Sequence, residues 1–205
     1  MELNFINIVD VLGTFSFAVA GGFAAMEKKL DPFGVLIMAF ATAIGGGTIR
    51  DLMLGRLPVA WLTNSPAIWA IIIGAVATMF FSNSLKKAHR LLFYFDAIGL
   101  GLFTMIGIQA AREHDLSMGI CIMMGTITGC FGGVLRDVLL NNVPLLFQKE
   151  IYALASIFGG LVFFLLSNLD LPLNYSYAIG IIVVVLIRIL AVKFSWSLPR
   201  FYEER

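Results

Sequence analysis

Charge is what this chain has least of. Of its 205 residues only 13% are Asp, Glu, Lys or Arg, while 60% are hydrophobic. A water-soluble globular domain holds about 25% charged and about 45–50% apolar residues, so this balance excludes one and implies an integral membrane protein. The formal net charge of +1 excludes a strongly basic nucleic-acid binder. Cysteine is also scarce: Cys121 and Cys130 are the two present, nine residues apart in one apolar segment. That spacing separates them by ~13 Å along a helix, beyond disulfide reach, and they read as small buried hydrophobes. The two histidines, His89 and His114, stand at loop edges without ligand spacing, so no metal site is expected. No G-x-x-x-x-G-K-[ST], G-x-S-x-G or H-E-x-x-H occurs, and neither an enzyme nor a cofactor is expected. Met1 to Phe5 lacks Lys and Arg, unlike the basic start of a signal peptide. The first apolar segment therefore reads as a retained span.

Apolar stretches near the ~20 residues that a crossing needs can be marked seven times. They run Phe5–Met26, Phe33–Leu54, Ala67–Leu85, Leu91–Ala111, Met118–Leu140, Ile151–Leu169 and Tyr175–Phe194. Connections are short, leaving no room for a soluble domain, and residues 1–205 form one transmembrane domain. Orientation follows the placement of Lys and Arg. With the N-terminus outside, the inward loops hold Lys28, Lys29, Lys86, Lys87, Arg90 and Lys149, and the inward tail adds Lys193, Arg200 and Arg205. The outward loops hold only Arg56 and Arg112. The expectation is N-out and C-in.

The chain also repeats itself at a shift of 86 residues. Asp10 pairs with Asp96, Gly13 with Gly99, Phe17 with Phe103, Gly21 with Gly107 and Glu27 with Glu113. The register continues without a gap through Thr42 and Thr128, Gly46-Gly47 and Gly132-Gly133, Arg50-Asp51 and Arg136-Asp137, and Pro58 and Pro144. Chance apolar similarity does not align charges, glycines and prolines together. Residues 5–85 and 91–169 are two copies of a three-span unit, and residues 175–194 add a seventh helix. An odd number of spans makes the second copy enter the membrane upside down, an all-α inverted repeat whose working site is expected near the midplane between matching helices.

Those helices are the second and fifth. Gly45-Gly46-Gly47 and Gly132-Gly133 each interrupt an apolar span. Each glycine costs a helix ~1 kcal/mol against alanine. Gly125, Gly129 and Gly133 form a small-residue stripe that permits close packing. Adjacent glycines point in different directions, however, so the runs predict unwinding. Unwound carbonyls at membrane depth must face protein or water, and they can replace an ion's hydration shell. The hydroxyls of Thr42, Thr48 and Thr128 are possible additional ligands. Arg50, Asp51, Arg136 and Asp137 either guard the mouths of such a path or pair with acids on other helices. Asp10 and Asp96, carboxylates inside spans, are either functional or partners of those arginines. Arg188 and Lys193 are expected to snorkel to the inner interface.

The sequence Gly-Gly-Gly-Thr-Ile-Arg-Asp at Gly45–Asp51, its echo Gly-Gly-Val-Leu-Arg-Asp at Gly132–Asp137, and the three-plus-three-plus-one layout resemble the prokaryotic trimeric intracellular cation (TRIC) channels. The related bacterial glycine transporter family looks similar. The resemblance covers nearly the whole chain. It implies a homotrimer in the bacterial cytoplasmic membrane, with a pore in each subunit lined by the second and fifth helices and conducting K⁺ and Na⁺. The alternative is a secondary transporter of glycine or a similar small zwitterion. Eukaryotic members of the wider family also carry a lysine-rich phosphoinositide-binding feature; no equivalent is found here, and the lipid partner is the bilayer itself.

Overall fold

Eight α-helices and one 3-10 turn make up the regular structure of the described residues, and no strand occurs among them. In this computed structural model the described residues are 5–81, 85–148, 151–169 and 171–196, with backbone alone at 81 and 85–87. Lys149, Arg200 and Arg205, part of the orientation argument, lie outside them.

The helices are α1 (Phe5–Glu27), α2 (Pro32–Met53), α3 (Ala60–Thr63), α4 (Ser65–Phe81), α5 (Leu85–Arg112), α6 (Met118–Leu139), α7 (Ala153–Ser167) and α8 (Leu173–Lys193). The 3-10 turn Leu145–Phe147 lies between α6 and α7. Of these, α1, α2, α5, α6 and α8 are long and apolar enough to cross a membrane, while α4 and α7 are apolar but shorter. The 15 residues of α7 rise only ~22 Å, against a hydrocarbon core of ~30 Å. The basic run Lys86–Arg90, expected as a joint, is instead the first turn and a half of α5. It contains neither Pro nor Gly, and Lys and Arg are good helix formers.

Helix ends repeat with the sequence. Lys29 and Asp115 both take positive φ (58° and 52°) just after α1 and α5, and Gly55 and Asn141 do so (68° and 54°) after α2 and α6. Each is a left-handed C-cap at the same place in its copy. The following amides fold back accordingly, Arg56 N–H to Asp51 O and Asn142 N–H to Asp137 O, both at 2.8 Å. α2 starts sharply because Asp31 accepts the Gly34 amide at 2.7 Å and Pro32 takes the first turn, where a missing N–H is harmless.

α1 and α5 are the most buried long helices and pack against each other at the centre. Their contacts are reciprocal: Gly13 lies against Phe103, Gly99 lies against Phe17, and the two phenylalanines stack at 5.2 Å between ring centroids. Contacts in which i meets j and j meets i mark a two-fold relation. The copies differ at their edges, because α4 packs along α1 whereas α8 packs against both α5 and α7.

Candidate functional site

The glycine-rich segments do not unwind. α2 is unbroken from Pro32 to Met53 and α6 from Met118 to Leu139, so Gly45, Gly46, Gly47, Gly132 and Gly133 are all helical. This corrects the expectation of freed carbonyls, and the reason is packing between the two helices. A Cβ on Gly46 would fall on the Thr128 carbonyl oxygen, and one on Gly132 would lie 2.5 Å from the Thr42 carbonyl oxygen. Each helix thus rests its backbone on the other's, a contact open only to residues without side chains. The helix-propensity cost of the glycines is offset by this close approach. Thr42 and Thr128 complete the seam. Their hydroxyls donate to the Met38 and Met124 carbonyls at 2.7 and 2.6 Å, and they face Gly21 and Gly107. Thr48 likewise donates to Ile44 O at 2.8 Å. These hydroxyls are turned to their own helices.

Arg50 pairs with its neighbour Asp51, not with an acid on another helix. The guanidinium Nε and Nη2 each lie 2.8 Å from Asp51 Oδ1, and Asp51 Oδ2 accepts the Ala60 amide at 2.8 Å. In the second copy Arg136 Nε donates to Asp137 Oδ1 at 2.9 Å, and Asp137 Oδ2 accepts the Leu145 amide at 3.1 Å. Each aspartate ties the last turn of its helix to the segment that follows, and each arginine sits where the helix dipole favours a cation. Beyond this the copies diverge. Arg136 Nη1 also donates to Asp96 Oδ1 at 2.6 Å, the inter-helix pairing expected. No ion pair joins Arg50 to Asp10, whose Oδ2 accepts from Asn64 Nδ2 at 3.0 Å. Arg50 Nη1 and Trp61 Nε1 are buried without hydrogen-bond partners among the described residues.

Two cavities flank the helix crossing. The first, of about 30 Å³, is lined by Asp10, Thr14, Gly47, Arg50, Asp51, Trp61, Asn64 and Phe103 among others. The second, of about 440 Å³, is lined by Glu27, Lys28, His89, Arg136, Asp137, Asn141 and Gln148 among others. Asp10 and Glu27 lie ~25 Å apart along α1 at 1.5 Å per residue, so the cavities occupy opposite ends of the bundle. Between them stand the Phe17–Phe103 stack and the Gly46–Gly132 seam, with Phe17 also against Gly132. The structure thus brings Asp10, Gly47, Arg50 and Asp51 to one cavity, and Arg136 and Asp137 to the other. It keeps Thr42, Gly46, Thr128 and Gly132 in the seam.

Several residues of this arrangement were not singled out from sequence. Asn64, Trp61 and Tyr152 carry no motif. Phe17 and Phe103 did carry a signal, because the 86-residue register pairs them, but phenylalanine is common in apolar text. Arg188, expected to snorkel, is fully buried. Its guanidinium lies over the rings of Tyr152 and Phe93, 4.6 and 5.5 Å from their centroids, a cation–π arrangement that holds it in the bundle.

Comparison with known proteins agrees with this architecture. The sequence model of the family described as "Glycine transporter" matches residues 7–83 and again 93–168, at the same 86-residue offset. The chain belongs to the glycine transporter family. A membrane protein of Vibrio cholerae is 41% identical over 98% of this chain and 84% of its own. The inner membrane protein YadS of Escherichia coli is 35% identical over 94% of each. Among solved structures, a TRIC cation channel covers 100% of both chains at 34% identity and a TM-score of 0.85. The trimeric intracellular cation channel orthologue of Rhodobacter sphaeroides matches at 34% identity and a TM-score of 0.87, covering 93% of this chain and 98% of its own. This glycine transporter family member has the fold of the prokaryotic TRIC channels and the make-up of a multi-pass bacterial membrane protein.

Proposed function

We propose that the protein is a passive channel for monovalent cations, K⁺ and Na⁺, in the bacterial cytoplasmic membrane. The observation that carries this reading is the whole-chain match to solved TRIC cation channels at 34% identity, joined to a charged cavity at each end of one helix pair. Seven crossings with the N-terminus outside place the first cavity outward and the second inward, with α4 and α7 as short spans. The assembly is a homotrimer, as in the trimeric Rhodobacter orthologue, and each protomer carries its own pathway along α2 and α6. In the conformation described the pathway is shut by Phe17 and Phe103, an apolar constriction of the kind that excludes water, and by the Gly46–Gly132 seam. Helix carbonyls cannot serve as ligands here, so selection rests on charge at the mouths. The first cavity holds Asp10 and Asp51 against Arg50, a formal excess of one negative charge, and such a cleft concentrates cations.

Purified protein in planar bilayers is expected to give unitary K⁺ currents, and their absence overturns the reading. Asp10→Asn removes the excess charge without removing bulk. It should lower K⁺ conductance by roughly two- to fivefold at 0.1 M salt, an effect that fades toward 1 M as the screening length falls from ~10 to ~3 Å. Equal conductance at low salt would remove Asp10 from the mouth.

A second reading, secondary transport of a small zwitterion such as glycine, has one observation in its favour beyond the family's description. Arg50 Nη1 and Trp61 Nε1, donors without a partner among the described residues, share a cavity with the Asp10 carboxylate, a set complementary to a carboxylate and an ammonium. At about 30 Å³ that cavity has room for about one water, so this reading needs it to enlarge. Saturable glycine uptake into proteoliposomes without unitary currents would favour it over the channel.

A further inference from the structure

We propose that Tyr152 is the gate of the inner half of the pathway, filling beside Gly133 the space that the first copy leaves empty beside Gly47. This rests on the cation-pathway reading above. The repeat register maps Asp10, Ile44, Gly47, Arg50 and Asp51, all lining the first cavity, onto Asp96, Cys130, Gly133, Arg136 and Asp137. In the second set Arg136 and Asp137 border the larger cavity, but Asp96, Cys130 and Gly133 line neither cavity, and Asp96 and Cys130 are each 1% exposed or less.

Beside Gly47, an added Cβ would meet nothing nearer than Arg50 Nη2 at 3.7 Å. Beside Gly133 the same atom would meet the Tyr152 hydroxyl at 2.8 Å, Asp96 Oδ1 at 3.5 Å and Arg136 Nη2 at 3.6 Å. The Tyr152 hydroxyl, Asp96 and Arg136 therefore converge on Gly133, at the spot left vacant beside Gly47 in the other copy. The register opposes Tyr152 to Pro66, so the first copy has no aromatic residue at the matching position.

Two features make Tyr152 a movable plug. Its hydroxyl is buried with no hydrogen-bond partner among the described residues. A buried hydroxyl in that state is disfavoured, and it gains partners by turning toward water. The residue also precedes the first turn of α7, an element terminus of the kind that absorbs hinge motion. α8, the helix without a counterpart in the first copy, sets Arg188 against the Tyr152 ring at 4.6 Å. The unpaired helix thereby holds the Tyr152 ring in place beside Gly133.

Cys130 is a native reporter, because it is 1% exposed and stands where Ile44 lines the open cavity. The test uses the full chain in proteoliposomes, with Cys121→Ser to leave one thiol, and follows modification by methanethiosulfonate-ethylammonium with intact mass. Tyr152→Ala is expected to speed modification of Cys130 at least tenfold, and to raise open probability in bilayers with unitary conductance unchanged. Tyr152→Leu, which keeps much of the apolar bulk and loses the hydroxyl end, should show a smaller rise and guards against misfolding of the alanine variant. Cys130 remaining unreactive in both variants, each shown to be monodisperse, overturns the gate. Faster labelling with no K⁺ current from any variant supports Tyr152 as the plug while overturning the channel reading alone.

Discussion

Gly46→Ala lowers the stability of the folded protein by about 3 kcal/mol or more, at the upper end of what overpacking costs, while Gly119→Ala is neutral or slightly stabilising. Both changes add one methyl group to a helical glycine, and helix propensity alone would make each favourable by up to ~1 kcal/mol. The neighbours decide the sign. At Gly119 nothing lies within 4 Å of the new carbon, whereas at Gly46 it lands on the Thr128 carbonyl oxygen. A backbone carbonyl held in α6 cannot swing aside as a side chain would, so α2 and α6 must separate along the whole seam. The reciprocal contact at Gly132 and the Phe17 ring that packs there are lost with it. Reversible unfolding in mixed micelles measures the difference. Equal stability of the two variants would mean that the helices are not in backbone contact.

Asp96→Ala is expected to cost about 3–5 kcal/mol, the range for breaking a buried ion pair by removing one partner. Asp10→Ala, the same change at the matching position, should cost only about 1 kcal/mol, the value of a typical hydrogen bond. Asp96 and Arg136 are at most 1% exposed and bonded at 2.6 Å, so truncation strands part of a guanidinium in the bundle. Asp10 is half-buried and loses one bond from Asn64, while Arg50 keeps Asp51. Matched unfolding titrations of the two variants are the check, and equal losses would contradict the asymmetry between the copies.

Much of the fold was legible in the residues. Each of the seven apolar segments coincides with a helix among the described residues, five of them long and apolar enough to cross a membrane, and the internal repeat reappears as matched caps at Lys29 and Asp115 and at Gly55 and Asn141. The error concerned the glycines. A run of three lowers helix propensity, and read locally it predicts a break. The same run read against a second helix is a contact surface, and no local rule reveals that Thr128 supplies the opposing carbonyl. The expectation that Arg50 pairs with an acid on another helix failed for a related reason. Adjacent residues diverge at Cβ, but an arginine side chain is long enough to curl back to its neighbour.

Composition and the doubled register were sufficient for a membrane protein of helices in two related halves, because burial in lipid and gene duplication both leave their marks residue by residue. Which half has a ring packed beside its glycine came only from the folded molecule. The two copies carry the same Asp, Arg and Asp, and they part company through Asn64, Tyr152 and Arg188, side chains that arrive from outside the shared motif. Their effect depends on distances across the bundle, which no spacing along the chain encodes.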